Sequence, residues 1–327
     1  MAILITGGAG YIGSHMVHEA LERGEKVVVL DNLSTGSRGL VAENAVFVEG
    51  NAGDQSLVKR LIAEHKIDAI IHFAGSIVVP DSVAQPLAYY ANNTVVARNL
   101  IEAAVESHVP HFIFSSTAAV YGEAHDGALT ESTSTDPINP YGRSKLMTEW
   151  MLEDASKAFD FRFVALRYFN VAGADPSGRS GQSSPRATHL IKRGCQVALG
   201  RLPQLDIFGT DYPTPDGTGV RDYIHVSDLV AAHALALDYL RDGGAPAIMN
   251  CGYGHGASVR EVIGSIERVA GHTLPVREAP RRPGDPPSLV ADASLIRKTL
   301  RWTPQHDDLD EIVTHALAWE RRLNAAG

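Results

Sequence analysis

Cysteine is almost missing from this chain: Cys195 and Cys251 are the two in 327 residues. Their isolation excludes a disulfide framework and a cysteine-built metal site, and two buried reduced thiols are expected. Positive charge is short as well, with 29 lysines and arginines against 38 acidic residues and a net charge of -9. Without a broad basic field the chain suits neither nucleic acid nor an anionic membrane, so an anionic ligand must be held by local arginines. No apolar run approaches the roughly 20 residues of a membrane span. The start "MAILITGG" lacks a basic flank and a small-residue cleavage site, so it reads as a strand rather than a leader, and a cytoplasmic location is expected. Internal repeats and low-complexity blocks are missing too, and no metal-ligand spacing stands out.

What is present is a regular alternation. Short β-branched runs ("AILIT", "KVVVLD", "AVFVEG", "DAIIHFAG", "HFIFSS", "FRFVALRYFN") are separated by amphipathic stretches of helical length, including 12–23, 54–65, 93–108 and 142–158. That is the pattern of βαβ units on a parallel sheet. The regularity decays after Asn170, where "AGADPSGRSGQSSPRA" reads as a loop over the cleft, a lid or substrate contact. Further helices are expected near Val226, after Ser258 and over about Asp307 to Leu323, the last with acids at its start and "ERR" at its end. The expectation is an α/β fold: a Rossmann-type doubly wound parallel sheet over 1–170, and a smaller mixed α/β lobe over 171–327 from which some segments return to the large domain.

The first strand runs into "TGGAGYIGSH", with Gly7, Gly10 and Gly13 spaced by three. Glycines so placed permit a tight turn, close approach of backbone to a pyrophosphate, and packing of helix on strand. Asp31 ends the second strand and is followed by Asn32, Leu33 and Ser34 with no arginine. A carboxylate there accepts ribose hydroxyls and repels a 2′-phosphate, which favours NAD over NADP. Two further strand ends, "EGNAGD" with Asn51 and Ala52 and "HFAGS" with Phe73, Ala74 and Gly75, are placed by topology at the adenine and at the pyrophosphate or ribose edge.

Tyr141 and Lys145 lie four apart at the start of a helix and project from one face. A phenol of pKa about 10 is a poor base at neutral pH, but a neighbouring ammonium and a nicotinamide cation favour the phenolate. Tyr141 can then take a proton from a sugar hydroxyl while hydride leaves the same carbon. Between the glycine turn and this pair stands the hydroxyl-bearing strand end Ser115, Ser116, Thr117. With TGxxGxxG, the hydroxyl strand end and YxxxK in this order, the chain resembles the extended short-chain dehydrogenases/reductases.

Within that family, dehydratases and decarboxylases place acidic residues just after the catalytic hydroxyl. Here "SSTAAVYG" has Ala118 and Ala119, whose methyl groups transfer no protons, which points to hydride leaving and returning, a 4-epimerisation. The segments "LRYFNVAGA", "GTDYPTPDGTGVRDYIHVSDL" and "RRPGDPPSLVADAS" extend the likeness to UDP-glucose 4-epimerases over essentially the whole chain. The likeness implies UDP-glucose and UDP-galactose as substrates, bound NAD, and a homodimer formed through 93–108 and 142–158. It implies Thr117, Tyr141 and Lys145 as the catalytic group. Tyr11, Ile12, Asp31, Phe73, Asn92, Ser115 and Phe169 fall on its cofactor positions, and Asn170, His189, Leu190, Ile207, Phe208, Arg221, Tyr223, Arg282, Asp285 and Leu289 on its substrate positions. Arg221 and Arg282 are the natural neutralisers of a diphosphate.

The chain departs from the pattern at several places. Asn51 replaces an aspartate, Ile77 a lysine beside the cofactor, His189 an asparagine and Ala187 a glutamate. Leu289 stands where a tyrosine favours the plain hexoses and smaller residues admit N-acetylated sugars; leucine is intermediate, so plain hexoses are expected with some N-acetyl activity. Two other readings remain: a C4 epimerase of another UDP-sugar (UDP-N-acetylhexosamine, UDP-xylose/arabinose or UDP-glucuronate), which substrate comparison at Leu289 tests, and a silent NAD-binding regulatory protein, which would be expected to lack the Tyr/Lys pair.

Overall fold

The computed structural model describes residues 1–123, 127–184, 187–282 and 285–325. The strands in chain order are β1 (Ala2–Thr6), β2 (Lys26–Asp31), β3 (Val46–Glu49), β4 (Ile67–His72), β5 (His111–Ser115), β6 (Arg162–Tyr168), β7 (Asn170–Ala172), β8 (Leu205–Phe208), β9 (Val220–Arg221), β10 (Tyr223–His225), β11 (Ala247–Cys251), β12 (Ala257–Ser258), β13 (Val276–Ala279) and β14 (Ser288–Leu289). Seven of them form one parallel sheet in the order β11-β6-β5-β4-β1-β2-β3. The helices are α1 (Tyr11–Glu22), α2 (Gln55–His65), α3 (Val79–Ala84), α4 (Pro86–Tyr89), α5 (Val96–Glu106), α6 (Pro140–Ala158), α7 (Leu190–Ala198), α8 (Val226–Arg241), α9 (Val259–Ala270), α10 (Ser294–Leu300) and α11 (Leu309–Ala325).

The sheet is apolar on both faces because helices cover both, and successive side chains of a strand go to opposite sides. In β1, Ile3 and Ile5 join the core that includes α1 and α8, whereas Ala2 and Leu4 join the core that includes α2 and α5. Strand order reverses between β1 and β4, so a crevice opens at the carboxyl ends of these strands.

Three features differ from the sequence-based expectations. Before α5, residues Tyr90–Val95 form a π-helical segment rather than regular helix, so the expected 93–108 helix begins as a bulge. The downstream part adds α7, α10 and three small sheets to the three helices expected there. Strand β11, which the sequence pattern did not reveal, is the edge strand of the main sheet beside β6, and α8 packs on α1. Both arise because the edge of the main sheet and its α1 face carry apolar surface that only later segments are left to cover.

Candidate active site

A cavity of about 830 Å³ occupies the crevice at the strand ends. Its floor is the glycine turn. Gly7 has φ +74°, and a Cβ there would lie 2.6 Å from Ala74 N; one at Gly13 would collide with Gly7 O. The N-cap of α1 is Gly10 with no side-chain cap, so the helix offers its free N–H groups and dipole to an anion. Asp31 is fixed from two sides: Oδ2 accepts from Ala9 N at 2.9 Å and Oδ1 from Leu33 N at 2.8 Å. The carboxylate keeps lone pairs for ribose hydroxyls. Gly7, Gly10, Tyr11, Ile12, Gly13, Asp31, Asn32, Ser34, Asn51, Ala52, Phe73, Ala74, Gly75, Asn92 and Phe169 all border this cavity. Leu33, Ser115 and Lys145 do not, and stand behind its wall. Asn51 Oδ1 accepts from Gly53 N at 2.8 Å, so the residue in the usual aspartate position is partly occupied by its own turn. These groups suit a dinucleotide whose diphosphate meets α1 and whose ribose meets Asp31.

The reactive end is built on the first turns of α6. Asn139 Oδ1 caps the helix by accepting from Gly142 N at 2.9 Å, and Pro140 occupies the first turn, where its missing N–H costs nothing. Tyr141 is therefore held at the cavity wall, with the Thr117 hydroxyl close enough to its phenol to affect its ionisation. Burial pushes the Tyr141 pKa up, and the Thr117 hydroxyl opposes that rise. Lys145 Nζ, fully buried, donates to Ser115 O at 2.8 Å and lies 4.9 Å from the centre of the Phe114 ring. Burial lowers its pKa to about 8, and the Glu149 carboxylate works against that shift. The sequence predicts a neighbouring ammonium that favours the phenolate; its hydrogen bond goes to the β5 backbone. Ala118 and Ala119 line the wall next to Thr117 with methyl groups. The Thr117 side chain accepts from Ala119 N at 3.1 Å, which fixes the hydroxyl's place.

At the far end, Asn170, His189 and Leu289 border the cavity with Thr117 and Tyr141. His189 Nδ1 is buried without a hydrogen-bond partner among the described residues, and burial lowers the ring's pKa, so a neutral imidazole faces the cavity wall. Arg221, Asp285, Phe208 and Arg282 lie beyond the cavity's edge. Arg221 pairs with Asp285, and its Nη1 donates to Val220 O at 2.8 Å. The Arg282 guanidinium sits 3.8 Å over the Phe208 ring. Tyr223 is buried, with its phenol in electrostatic reach of Arg221 and Asp285. Two expected substrate residues are turned inward: Ile207 is 1% exposed in the main core, and Leu190 packs on that core from the first position of α7. Alternation along β8 is the reason, since it directs Phe208 outward only by directing Ile207 inward. Pro283 and Gly284 of the "RRPGD" segment lie outside the described residues.

The sequence pattern of the NAD dependent epimerase/dehydratase family matches residues 3–252. A UDP-glucose 4-epimerase of Azospirillum brasilense is 57% identical over 98% of this chain and 92% of its own length. The crystal structure of UDP-glucose 4-epimerase from Brucella ovis in complex with NAD superposes with a TM-score of 0.94 at 43% identity, over 97% of this chain and 98% of that one. That of the Stenotrophomonas maltophila UDP-glucose-4-epimerase, with bound NAD and formylated UDP-arabinopyranose, gives 0.97 at 40% identity over all of both chains. The chain belongs to the NAD dependent epimerase/dehydratase family.

Several residues shape this epimerase/dehydratase site that the motif reading missed. Tyr168 borders the cavity and shares a 2.7 Å hydrogen bond with Ser115 Oγ. Asn93, rather than exposed Asn92, is buried in the π-helical segment: Oδ1 accepts from Ser76 N at 2.8 Å, and Nδ2 donates to Ser76 O and Ser144 Oγ. Glu149 accepts from Ser116 Oγ at 2.5 Å and forms a buried pair with Arg167 at 2.6 Å, fastening α6 to β5 and β6. A signal existed for Glu149, since it continues the Tyr141, Lys145 spacing by one more helical turn.

The glycine-rich segment after Asn170, expected as a loop over the cleft that acts as a lid or substrate contact, is fastened to its surroundings. Ser180 Oγ meets Ser14 Oγ at 2.6 Å, Arg179 clasps Asp175, and Gln182 O accepts from Lys192 Nζ at 2.6 Å. Gln182, Ser183, Ser184 and Ala187 border the cavity, so the segment is a pinned wall, exposed among its described residues only around 176–179. Pro185 and Arg186, at its end, lie outside the described residues.

Proposed function

We infer that this enzyme interconverts UDP-glucose and UDP-galactose by 4-epimerisation, with NAD as its cofactor. The observation that carries the reading is the Tyr141 to Thr117 hydroxyl pair set beside two alanine methyl groups at the sugar end of a dinucleotide cavity. Bound NAD⁺ supplies the acceptor for the C4 hydride and gives the same hydride back. Tyr141, relayed by Thr117, takes the O4 proton as C4 becomes a ketone, and later returns it. Lys145 holds positive charge behind the phenol and, through Ser115 O, keeps helix and strand in register. Ala118 and Ala119 offer no group for C5 deprotonation or for loss of the C6 hydroxyl, so the 4-keto sugar has only reduction open to it. Arg221 and Arg282 clamp the diphosphate while the hexosyl ring turns and presents its other face; on binding, Arg221 exchanges or shares its Asp285 partner, and Asp285 is freed toward the uridine ribose. Asn170 and the His189 imidazole approach the sugar diphosphate.

The proposed division of labour puts the dinucleotide on residues 1–170 and the UDP end mainly on 171–327, with α8 and β11 returning to the large sheet. Leu289 at the sugar end supports plain hexoses as the preferred substrates, with N-acetylated sugars as the second reading. Val83, Leu87, Val95 and Trp150 are exposed apolar residues on α3, α4, the π-helical segment and α6, which pack together. Such a patch supports a homodimer through these helices. No described helix is long and apolar enough to cross a membrane, and we place the enzyme in the cytoplasm. The test is incubation of purified protein with UDP-galactose and no added NAD. UDP-glucose forming without net NADH is the expected result; no conversion of any UDP-sugar would overturn the reading.

A further inference from the structure

Away from the catalytic cavity, four side chains from two distant segments meet at the start of the C-terminal helix. Glu311 lies in the first turn of α11 and His315 one turn later on the same face. His306 comes from the loop just before, and the His225 ring, at the end of β10, packs against both histidines with ring centres 4.5 and 5.2 Å away. His306, Glu311 and His315 each offer a ligand atom, and these atoms all lie within 4.8 Å of one another. His306 Nδ1 is already 2.7 Å from a Glu311 carboxylate oxygen.

We propose that His306, Glu311 and His315 bind a divalent first-row transition metal ion, zinc(II) foremost. Two imidazoles and one carboxylate form a donor set suited to zinc in a site that keeps a fourth position open. Bonds of about 2.0–2.1 Å place tetrahedral ligand atoms about 3.4 Å apart. Small rotamer adjustments therefore close the present arrangement. The partial exposure of His306 and Glu311 leaves the fourth position to water.

The neighbouring hydrogen bonds connect the cluster to the catalytic cavity. Ser227 N donates to His225 Nδ1, which places the His225 ring proton on Nε2, 3.0 Å from His315 Nδ1. Zinc taking that His315 nitrogen displaces this donor, which couples the metal to the His225 ring. That ring in turn abuts Gly173, whose carbonyl accepts from the Tyr11 hydroxyl at 2.7 Å in the cofactor cavity wall. The ion would thus fasten the loop at His306 to the first turns of α11, against the β7 and β10 pair beneath the site. Motif spacing does not reveal it, because its ligands follow no familiar metal-binding signature.

The test is thermal unfolding of chelator-treated, NAD-loaded enzyme near neutral pH, titrated with ZnCl2, with bound zinc counted by elemental analysis. One equivalent of zinc and a rise in Tm of about 4 °C at a hundredfold excess over the Kd are expected. The shift is expected to vanish in the His306→Ala, His315→Ala double variant and to persist in His255→Ala, whose ring pairs with Asp307 nearby. Should the double variant fail to fold, His306→Gln alone is titrated against a chromophoric chelator, and at least a tenfold weaker Kd is expected. No zinc-dependent shift, a shift retained without these ligands, an unchanged Kd, or an equal effect of MgCl2 would overturn the proposal.

Discussion

A phenol that must act as a base inside a protein is pulled two ways, since burial favours its neutral form and neighbouring donors or cations favour the phenolate. For Tyr141 the structure supplies the burial and one hydroxyl neighbour, and the lysine charge arrives from behind the wall. Replacing Tyr141 by Phe is expected to cut kcat by about 10²–10⁴ with UDP affinity unchanged; near-normal turnover would remove Tyr141 from its role. Lys145 carries a pH signature. Its folded pKa of about 8 lies below the ordinary 10.5, so it is an ammonium at neutral pH and loses its charge as pH rises through 8. Turnover should fall over that limb, and Lys145→Met should show low activity without it. The stability sign is the reverse: the buried charge costs stability fully below pH 8, and the cost fades as pH rises from 8 toward 10.5. Lys145→Met is therefore expected to melt higher than the parent at neutral pH, an outcome that thermal unfolding checks. At Leu289, a tyrosine should depress activity on UDP-N-acetylglucosamine relative to UDP-glucose by about tenfold or more, through lost volume at the sugar end; an unchanged ratio would show that this wall does not meet C2. These residues were legible because each kind of chemistry admits few side chains; the partners that orient them, Asn93 and Tyr168, were not, because ordinary polar and aromatic residues carry no such mark.

At the scale of the element, α6 does more than present two side chains. Glu149 ties it to β5 through Ser116 and to β6 through Arg167, both carboxylate oxygens being used in a buried setting. Removing one member of such a pair leaves an uncompensated charge, so Glu149→Ala should lose about 3–5 kcal/mol in denaturant unfolding. Glu149 also raises the pKa of Lys145, so Glu149→Gln, if it folds, should move the alkaline limb of the pH profile to lower pH; an unmoved limb would separate helix anchoring from charge tuning. The expected helices over 12–23, 54–65 and 142–158 are present as Tyr11–Glu22, Gln55–His65 and Pro140–Ala158. The 93–108 stretch reads as plain helix because its periodicity is helical, whereas the π-helical turn before it depends on Asn93 reaching Ser76 and Ser144, contacts between segments far apart in the chain.

For the molecule as a whole, the apolar patch of Val83, Leu87, Val95 and Trp150 is the surface on which assembly should turn. For the proposed homodimer, Leu87→Asp is expected to give monomer in sedimentation experiments, since an unpaired charge is costly in a buried apolar interface; a dimer that survives the change would place the interface elsewhere. The amino-acid sequence by itself determined the parallel sheet, the glycine turn with Asp31, the Tyr141 and Lys145 pair and the direction of the chemistry, because these rest on local periodicity and on side chains whose reactivity few others share. Tertiary structure alone decided that β11 and α8 complete the large domain, that the glycine-rich wall is pinned, that Ile207 faces the core, and that His225, His306 and His315 meet. Each of these depends on which surfaces remain uncovered after the local elements form, and that is a property of the packed chain rather than of any segment.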